Sequence, residues 1–428
     1  MTTQISGNGF MRAPNYHYPE PFVDCKNPTN GSMYNISVHE LTCDHLAFCS
    51  CPKMKAEPDI SGRGVIIAFT TTAFITLCLA IFYLIVGRTN DSRQTFNPID
   101  RFARKYISEP TRRMLFRLGM NPDVQSLVAY DLVNTFSDLQ LVTGLAVLVG
   151  GIKQLHDGTI STYHFMIVTD LAWFCTNTHL LSLVVSRSLR DSVKKTHAER
   201  YNHEHTQLAA RLARAVRVFF MAVTFVLVLY AFWVTGYEEI YNKGQYRCPM
   251  HCFMKKPKGG SAKQQMIANM TLMSYLYAQQ IFLSWRTGRV IWMDHLRGHI
   301  IDEHGQPVNV LAPEAVFKKW TQNSAVKVLK RLFLAIWYLL ASEVETMLLL
   351  TAYFFYGLYS LIDDRIRGHH HMEHDTHHEE NELVYSQLVP IFLLIIPFMG
   401  LFESYARHSK AVKEIEPKDV DSGASEGP

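Results

Sequence analysis

The segment 65-VIIAFTTTAFITLCLAIFYLIV-86 carries no charged side chain, and most of its polar members are threonines. A threonine hydroxyl can hydrogen-bond to carbonyl groups of its own helix, so it is tolerated in an apolar environment. About 20 apolar residues in a helix match the thickness of the hydrocarbon core of a bilayer. The segment therefore predicts a membrane-spanning helix, and it decides the fold class.

Six further apolar segments have similar lengths and predict six more spans. They lie at residues 131–152, 160–186, 218–236, 266–285, 332–362 and 383–399. We therefore expect an all-α, polytopic integral membrane protein of about seven helices, with residues 65–403 as its transmembrane domain. The fifth segment is rich in Asn and Gln, so an internal or re-entrant helix is an alternative. The sixth is longer than a bilayer requires, which predicts strong tilt or extension past the membrane surface.

The distribution of Lys and Arg predicts the orientation. Loops 88–117, 187–217 and 286–331 each carry eight of these residues, whereas the alternate connections carry fewer. Cytosolic loops are the positively charged ones, so we expect the N-terminal tail outside the cytosol and the C-terminus inside it. An endomembrane such as the endoplasmic reticulum is favoured over the plasma membrane. Residues 1–21 contain no apolar run, so the first span is expected to direct its own insertion.

The cysteines agree with this orientation, because disulfides persist only in oxidising compartments. Four cysteines lie in the tail at residues 1–64, and Cys248 and Cys252 follow the fourth span. Pairings cannot be read from the spacing, and links between tail and loop are one of the alternatives. Asn30 and Asn35 begin glycosylation sequons in the same tail. Residues 404–428 are predicted to be a disordered cytosolic tail, and the net charge of +4 gives no reason to expect a nucleic-acid partner.

Polar and ionisable side chains lie at membrane depth on three predicted spans. Each charged group costs about 2.5–3.5 kcal/mol on insertion scales, so each is a functional hypothesis. At helical spacing they form three stripes: Asp131, Asn134 and Asp138; Tyr163, Asp170, Trp173 and Asn177; and Tyr338, Ser342, Glu345 and Tyr356. We expect the stripes to face one another and to enclose a polar and aromatic chamber.

Two interpretations of this chamber remain open. The polar groups could simply hold the helices together by hydrogen bonds. Alternatively, an unpaired carboxyl in a dry site stays protonated and can donate its proton. On that basis Asp170, Glu345 and Asp138 are the candidate catalytic acids, with Asp138 ranked third. The candidate substrate-binding residues are Tyr163, Trp173, Asn177, Asn134, Tyr338 and Tyr356.

No metal or cofactor is expected. The His-rich segment 369–378 could bind zinc or copper, but it lacks an HExxH motif, and we interpret it as a solvated lumenal loop. Cys248, His251 and Cys252 could also bind a metal, although disulfides are favoured. The chain has no phosphate loop and no GxSxG motif, and 363-DDRIR-367 does not complete a diphosphate and magnesium motif.

Three stretches carry a resemblance: 136-FSDLQLVTGLAVL-148, 160-ISTYHF-165 and 170-DLAWFCTNTHL-180. They resemble a large group of polytopic membrane proteins of filamentous fungi, most of them uncharacterised. The resemblance is specific over roughly residues 130–190. Over the rest of the chain, the similarity lies mainly in the topology of the predicted spans. The Asp-Gln-Gln usual in that group reads 138-DLQ-140 here, so a role tied to the middle Gln is in doubt.

Fungal meroterpenoid pathways use small polytopic membrane cyclases, and the resemblance implies a terpene cyclase of this kind, although no established motif carries the link. Such an isomerase needs an acid to open an epoxide on a farnesyl-phenol, aromatic faces for cations, and exclusion of water. A lipophilic substrate could enter from membrane lipid. The alternatives are a seven-helix ligand-sensing receptor and a transporter of a lipophilic metabolite. The receptor alternative lacks an acidic-Arg-aromatic triplet after the third span.

Overall fold

The computed structural model describes residues 22–26, 32–37, 43, 51, 54, 56–87, 98–193, 204–237, 245–254, 258–284, 288, 324–340, 342–370, 372, 380–382 and 385–415. In chain order the helices are α1 (Pro58–Ser61), α2 (Arg63–Val86), α3 (Pro98–Ala103), α4 (Glu109–Arg117), α5 (Pro122–Asp157), α6 (Thr162–Val193), α7 (Glu204–Val234), α8 (Gly260–Ser284), α9 (Ser324–Leu340), α10 (Glu343–His369), α11 (Tyr385–Leu393) and α12 (Ile395–Ile415). A π-helical turn, Arg104–Ser108, joins α3 to α4.

Two short strands are the exception to the helical plan. Strand β1 (Phe22–Lys26) pairs antiparallel with β2 (Met33–Ser37), so that Phe22 lies opposite Ser37. Both strands belong to the N-terminal tail rather than to the helical domain. Asn35 is exposed on β2, and its glycosylation stays a prediction. Asn30 lies outside the described residues.

Among the described residues, five helical segments are long and apolar enough to cross a membrane. They are Pro58–Val86, Pro122–Asp157, Ala215–Val234, Val344–His369 and Gln387–Lys410. They correspond to the first, second, fourth, sixth and seventh predicted spans. The third and fifth predicted spans form α6 and α8, which are helical but do not reach that apolarity. Several apolar helices thus make the fold compatible with a multi-pass membrane protein.

Helix α6 lies at the centre of the bundle, which explains its polar sequence. Every residue from Thr162 to Leu181 is buried, and α2, α5, α7, α8 and α10 pack around it. A helix that other helices screen from lipid does not need a continuous apolar surface. Its polar side chains can therefore take part in interhelical contacts.

The sixth predicted span is not one long helix, and the expectation of tilt or extension was wrong. The chain breaks between α9 and α10, where Ser342 has an extended backbone. The Ser342 hydroxyl caps α10 by accepting a hydrogen bond from the Val344 N–H at 3.0 Å. It also donates to Asp100 Oδ1 at 2.8 Å, which ties the break to α3. Tyr338 therefore lies on a different helix from Glu345 and Tyr356, and the three do not form one stripe.

The seventh predicted span is interrupted as well. Leu394 separates α11 from α12, between Pro390 and Pro397, because proline cannot donate the hydrogen bond that a continuous helix requires. Helix α12 continues to Ile415, so residues 404–415 of the predicted tail are helical rather than disordered. Residues 416–428 lie outside the described part of the chain.

Two disulfides join the N-terminal tail to the segment after α7. Cys43 bonds to Cys252, and Cys51 bonds to Cys248. Tail-to-loop links were one of the alternatives that the sequence allowed, and the structure selects them. We call residues 245–254 the cysteine loop and the end of the bundle that carries it the disulfide end. Helices α2, α6 and α8 begin at this end, and α5, α7 and α10 finish there.

Candidate functional site

A cleft of about 270 Å³ opens between α8 and α10 near the disulfide end. We call it the acidic cleft. The two helices line the cleft with different groups, because α8 contributes neutral polar side chains and α10 contributes mainly aromatic and charged ones. The lining consists of Ser261 and Gln265 from α8 and of Tyr356, Tyr359, Ser360, Asp363, Asp364 and Arg367 from α10.

Asp170 of α6 lies directly behind this lining. Its Oδ1 accepts a hydrogen bond of 3.0 Å from the hydroxyl of Ser360, and its side chain is buried. Its Oδ2 receives no hydrogen bond from a donor group among the described residues. The carboxyl of Asp364, also buried, lies within hydrogen-bonding reach of the Asp170 carboxyl. Two buried carboxyls in contact cannot both be ionised at low cost, so the pair is built to share one proton.

The Asp170–Asp364 pair also has a neighbour from the cysteine loop. Tyr246 is 2% exposed, and its hydroxyl lies beside Asp364 and Arg367 without a direct hydrogen bond of ordinary geometry to either. Burial, reinforced by the negative charge of Asp364, raises the pKa of Tyr246 to about 12. The phenol therefore stays protonated at neutral pH and can donate a hydrogen bond to a carboxylate.

Aromatic side chains surround the next turn of α6. The Trp173 ring stacks on Tyr353 at a centroid distance of 3.8 Å and lies 5.3 Å from the ring of Tyr356. The indole N–H donates to the carbonyl oxygen of Tyr353 at 2.8 Å. Gly357 permits this approach, because a Cβ at that position would lie 2.3 Å from Trp173 Cδ1. The structure thus brings Asp170, Trp173 and Tyr356 together, as the sequence predicted.

Tyr356 connects this aromatic group to the opposite wall of the cleft. Its hydroxyl donates to Asn269 Oδ1 at 3.1 Å and accepts from Gln265 Nε2 at 3.2 Å. Tyr359 also lines the cleft and is largely exposed. The cleft therefore combines acidic groups with two phenol rings.

Glu345 does not belong to this group. Because the helix begins at Glu343, Glu345 lies in the first turn of α10 rather than at the centre of a long helix. Ser360 is fifteen residues further along α10, which corresponds to about 22 Å at 1.5 Å per residue. The Glu345 side chain is buried, with the Thr346 hydroxyl 3.4 Å from its Oε2.

Asp138 was expected to be an unpaired carboxyl, and that expectation was wrong. It forms an ion pair with Arg217, which reaches it from the first part of the α7 span. The same guanidinium donates to Asn134 Oδ1 at 3.0 Å, and Ser182 donates to that oxygen at 3.2 Å. We call Asn134, Asp138, Ser182 and Arg217 the arginine network.

Three other predicted binding residues lie outside the acidic cleft. Asn177 is buried further along α6 and donates to the Leu350 carbonyl at 3.3 Å. Tyr338 is on α9, before the break at Ser342. Tyr163 lies at the disulfide end, where its hydroxyl donates to Glu380 Oε2 at 3.2 Å.

Glu380 is the centre of a separate buried cluster. It is fully buried and lies 3.3 Å from His164 Nε2 and 3.0 Å from His369 Nε2. Burial alone would raise the pKa of Glu380, but hydrogen bonds from both histidines and from Ser61 outweigh it and lower the pKa. The cluster is well supplied with donors, so it is suited to hold an anion in place.

The groups considered as metal ligands fall into two sets. Cys43, His251 and Cys252 lie close enough together to hold an ion, but the two sulfurs are joined in a disulfide. Much of the His-rich segment lies outside the described residues, which include only His369 and His370 of its six histidines.

Sequence reasoning missed Asp364, Ser360 and Tyr246. A signal for the first two was present, because Tyr356, Ser360 and Asp364 follow each other at intervals of four residues and share one helical face. In the sequence, Asp364 stands out only as part of an incomplete diphosphate motif. No comparable signal marks Tyr246, which approaches the pair from a loop distant in sequence.

Comparison with known proteins gives one informative similarity. The chain is 28% identical over 181 residues to the elsinochromes biosynthesis cluster protein HP3 of Elsinoe fawcettii. The aligned stretch covers 42% of this chain and 63% of that relative, which is less than two thirds of the relative's length. No protein-family model and no solved structure matches the chain.

Proposed function

We propose that this protein is a membrane-embedded enzyme of fungal secondary metabolism, and that it cyclises an epoxidised farnesyl chain carried on an aromatic ring. A role in secondary metabolism is supported by the similarity to a protein named for a biosynthesis cluster. The observation that supports acid catalysis is the Asp170–Asp364 pair beside the acidic cleft. Residues of this chain could thus supply the acid that such a reaction needs.

In this proposal the proton shared by Asp170 and Asp364 passes to the oxygen of the epoxide. The carbon–oxygen bond breaks, the oxygen becomes a hydroxyl group, and a carbocation forms on the more substituted carbon. A double bond of the same chain attacks that carbon and closes a ring. Loss of a proton from the product cation to the carboxylate pair then restores the acid, so the whole reaction is an isomerisation.

The lining of the cleft fits both parts of such a substrate. Phenol rings of Tyr356 and Tyr359 offer aromatic faces to a developing cation. Gln265, Ser261 and Arg367 offer hydrogen bonds to an oxygenated aromatic ring. Because the cleft lies between two helices of the bundle, we expect a lipophilic substrate to reach it from the membrane.

The test is turnover of an epoxidised farnesyl-phenol by microsomes that contain the protein as the only fungal component. Asp170→Asn keeps the size of the side chain but removes the acidic proton, and we expect turnover to fall by roughly 10²–10⁴. Asp138→Asn and Glu345→Gln make the same chemical change away from the cleft, so a loss below about tenfold is expected for each. If Asp170→Asn stays within tenfold of the wild type at matched protein levels, the acid assignment is wrong. Ligand-dependent binding of a cytosolic partner with no conversion of substrate would instead favour a receptor.

We further propose that the disulfide end faces the lumen of an endomembrane, with the C-terminus in the cytosol. The Cys43–Cys252 and Cys51–Cys248 disulfides lie at this end, and Asn35 is exposed on β2 of the tail that they anchor. Asn35→Gln should therefore increase the electrophoretic mobility of the protein by the loss of one glycan. If an engineered sequon near residue 202 is glycosylated instead, the orientation is reversed.

A further inference from the structure

We propose that Tyr246 positions and stabilises the Asp170–Asp364 pair, and that the Cys51–Cys248 disulfide holds Tyr246 in place. The inference rests on the proposed function only in calling the pair a catalytic acid. Its structural content is that the N-terminal tail, through one covalent bond, completes the acidic site. Tyr246 is then a positioning residue that acts through Asp364.

The cysteine loop is fixed to the start of α6 by backbone contacts. The N–H and the hydroxyl of Thr162 both donate to the Cys248 carbonyl, at 2.9 and 3.0 Å. The Met250 N–H donates to the Ile160 carbonyl at 3.0 Å. These contacts place the loop against the helix that carries Asp170.

Tyr246 stands two residues before Cys248, within the 3₁₀ turn Gln245–Arg247. That turn packs against both α6 and α10, the helices that carry the two carboxyls. Cys51 and Cys248 are both nearly fully buried, so their disulfide anchors the loop inside the protein rather than at its surface. The tyrosine therefore has little freedom to leave the pair while the bond is intact.

A phenol that donates to a carboxylate stabilises the ionised form of that carboxylate. When the pair gives up its shared proton, the hydroxyl of Tyr246 and the guanidinium of Arg367 lie beside the charge that remains on Asp364, while Asp363, which is paired with Arg367, adds a second negative charge nearby. Removing the hydroxyl should make the pair hold its proton to higher pH. Releasing the loop by breaking the disulfide should have the same effect, because the hydroxyl would no longer be held beside Asp364.

The experiment measures protonation directly and needs no substrate. A hydrophobic carbodiimide modifies protonated carboxyls, and mass spectrometry of peptides gives the labelled fraction of Asp170 and Asp364 as a function of pH. The full chain in microsomes is compared with Tyr246→Phe and with the double variant Cys51→Ser, Cys248→Ser. Tyr237→Phe is the matched control, since Tyr237 is also a buried tyrosine next to the disulfide end and donates to the Met254 carbonyl at 2.6 Å.

We expect labelling in Tyr246→Phe to persist to a pH about one unit higher, which is the scale of one hydrogen bond to a charged group. The double cysteine variant should shift in the same direction, and Tyr237→Phe should match the wild type. If the double variant fails to insert, wild-type protein is treated with a dithiol. Its two electrons and two protons convert the disulfide to two thiols while the dithiol closes to a cyclic disulfide.

An unchanged profile in Tyr246→Phe would overturn the inference. A shift in Tyr246→Phe without a shift after loss of the Cys51–Cys248 bond would overturn the role of the tail. Failure of the proposed function looks different, because the profiles would then shift as expected while no variant, including the wild type, converts an epoxidised substrate.

Discussion

Asp170 and Asp138 are the same side chain on adjacent helices of one bundle, yet the groups around them differ in charge. Asp138 pairs with Arg217 in the arginine network and is about half exposed, at 47% of its side chain. Asp170 is only 8% exposed, and the group that meets it is a second carboxyl. The first arrangement pairs a carboxylate with a cation, whereas the second places two carboxyls side by side.

A carboxyl at membrane depth is therefore not by itself evidence for an acid. Its partner decides the chemistry, and the partner comes from another helix. Glu380 makes the same point from the disulfide end, because two histidines and Ser61 hold it as an anion in spite of complete burial. Among these three carboxyls, only Asp170 meets a second carboxyl in the described structure.

The largest expected effect tests whether Asp170 and Asp364 act as one unit. Asp170→Asn and Asp364→Asn should each lower turnover by roughly 10²–10⁴. Turnover of the double variant should lie no more than about tenfold below that of the less active single variant, because the effects of residues that act together are strongly non-additive. Turnover of the three variants in microsomes measures this.

The arginine network supplies the control for that experiment. Asp138→Asn combined with Asp170→Asn should multiply the two single effects, since the residues share no partner in the described structure. Multiplication of the Asp170 and Asp364 effects would show that these carboxyls act separately, and the contrast between the two regions would lose its basis.

The next largest effect concerns the packing beneath the acidic cleft. In Gly357→Ala the new Cβ would lie 2.3 Å from Trp173 Cδ1, and Trp173 is itself 2% exposed. Overpacking of this kind should lower the free energy of unfolding by about 2–3 kcal/mol. Thermal unfolding in detergent measures the loss.

Gly150→Ala is the matched control, because Gly150 is also helical and nothing lies within 4 Å of its added Cβ. Alanine is the better helix former, so this variant should be neutral or more stable by up to about 1 kcal/mol. Equal losses in both variants would mean that the close approach of α10 to α6 does not depend on glycine.

A smaller effect follows from the lowered pKa of Glu380. The pKa in the folded protein lies below the unfolded value of about 4.3, so this carboxylate stabilises the fold above that pH. Its contribution is lost progressively as the pH falls below about 4.3 and the carboxylate protonates. Glu380→Gln should lower the free energy of unfolding by about 1.5 kcal/mol at neutral pH. As the pH is then lowered, the free energy of unfolding of this variant should fall less steeply than that of the wild type. A variant with the same acid limb as the wild type would show that Glu380 is not the titrating group.

Much of the fold could be predicted from the sequence because hydropathy reports directly on contact with lipid. Five predicted spans correspond to helices of sufficient length and apolarity. The break at Ser342 was missed because the longer segments around it are mostly apolar, although Ser342 and Glu345 have the spacing of a helix start; the contact of Ser342 with Asp100 of α3 has no signal in the sequence. A sequence pattern describes one helix at a time and does not show such a partner.

The candidate site was predicted in part for the same reason. Asp170, Trp173 and Tyr356 follow from the spacing of polar and aromatic residues within two helices. Tyr246 and the pairing of Asp138 with Arg217 depend on how a loop and a neighbouring helix pack, which spacing along one helix does not encode. Spacing along the chain therefore indicated which groups lie together, but not the partners that distinguish the carboxyls.

The smallest effect should come from the arginine network itself. The Arg217 side chain is 32% exposed and that of Asp138 is 47% exposed, so solvent or lipid headgroups screen their attraction. Exposed ion pairs contribute about 0–1 kcal/mol, and a double-mutant cycle of Arg217→Met and Asp138→Asn should give a coupling energy within that range. Thermal unfolding of the four proteins in detergent measures the coupling, and turnover should change less than tenfold in each. A coupling energy above about 2 kcal/mol would show that the pair is desolvated after all. Asp138 would then lie in a site as dry as that of Asp170, and the cation alone, rather than exposure, would separate the two carboxyls.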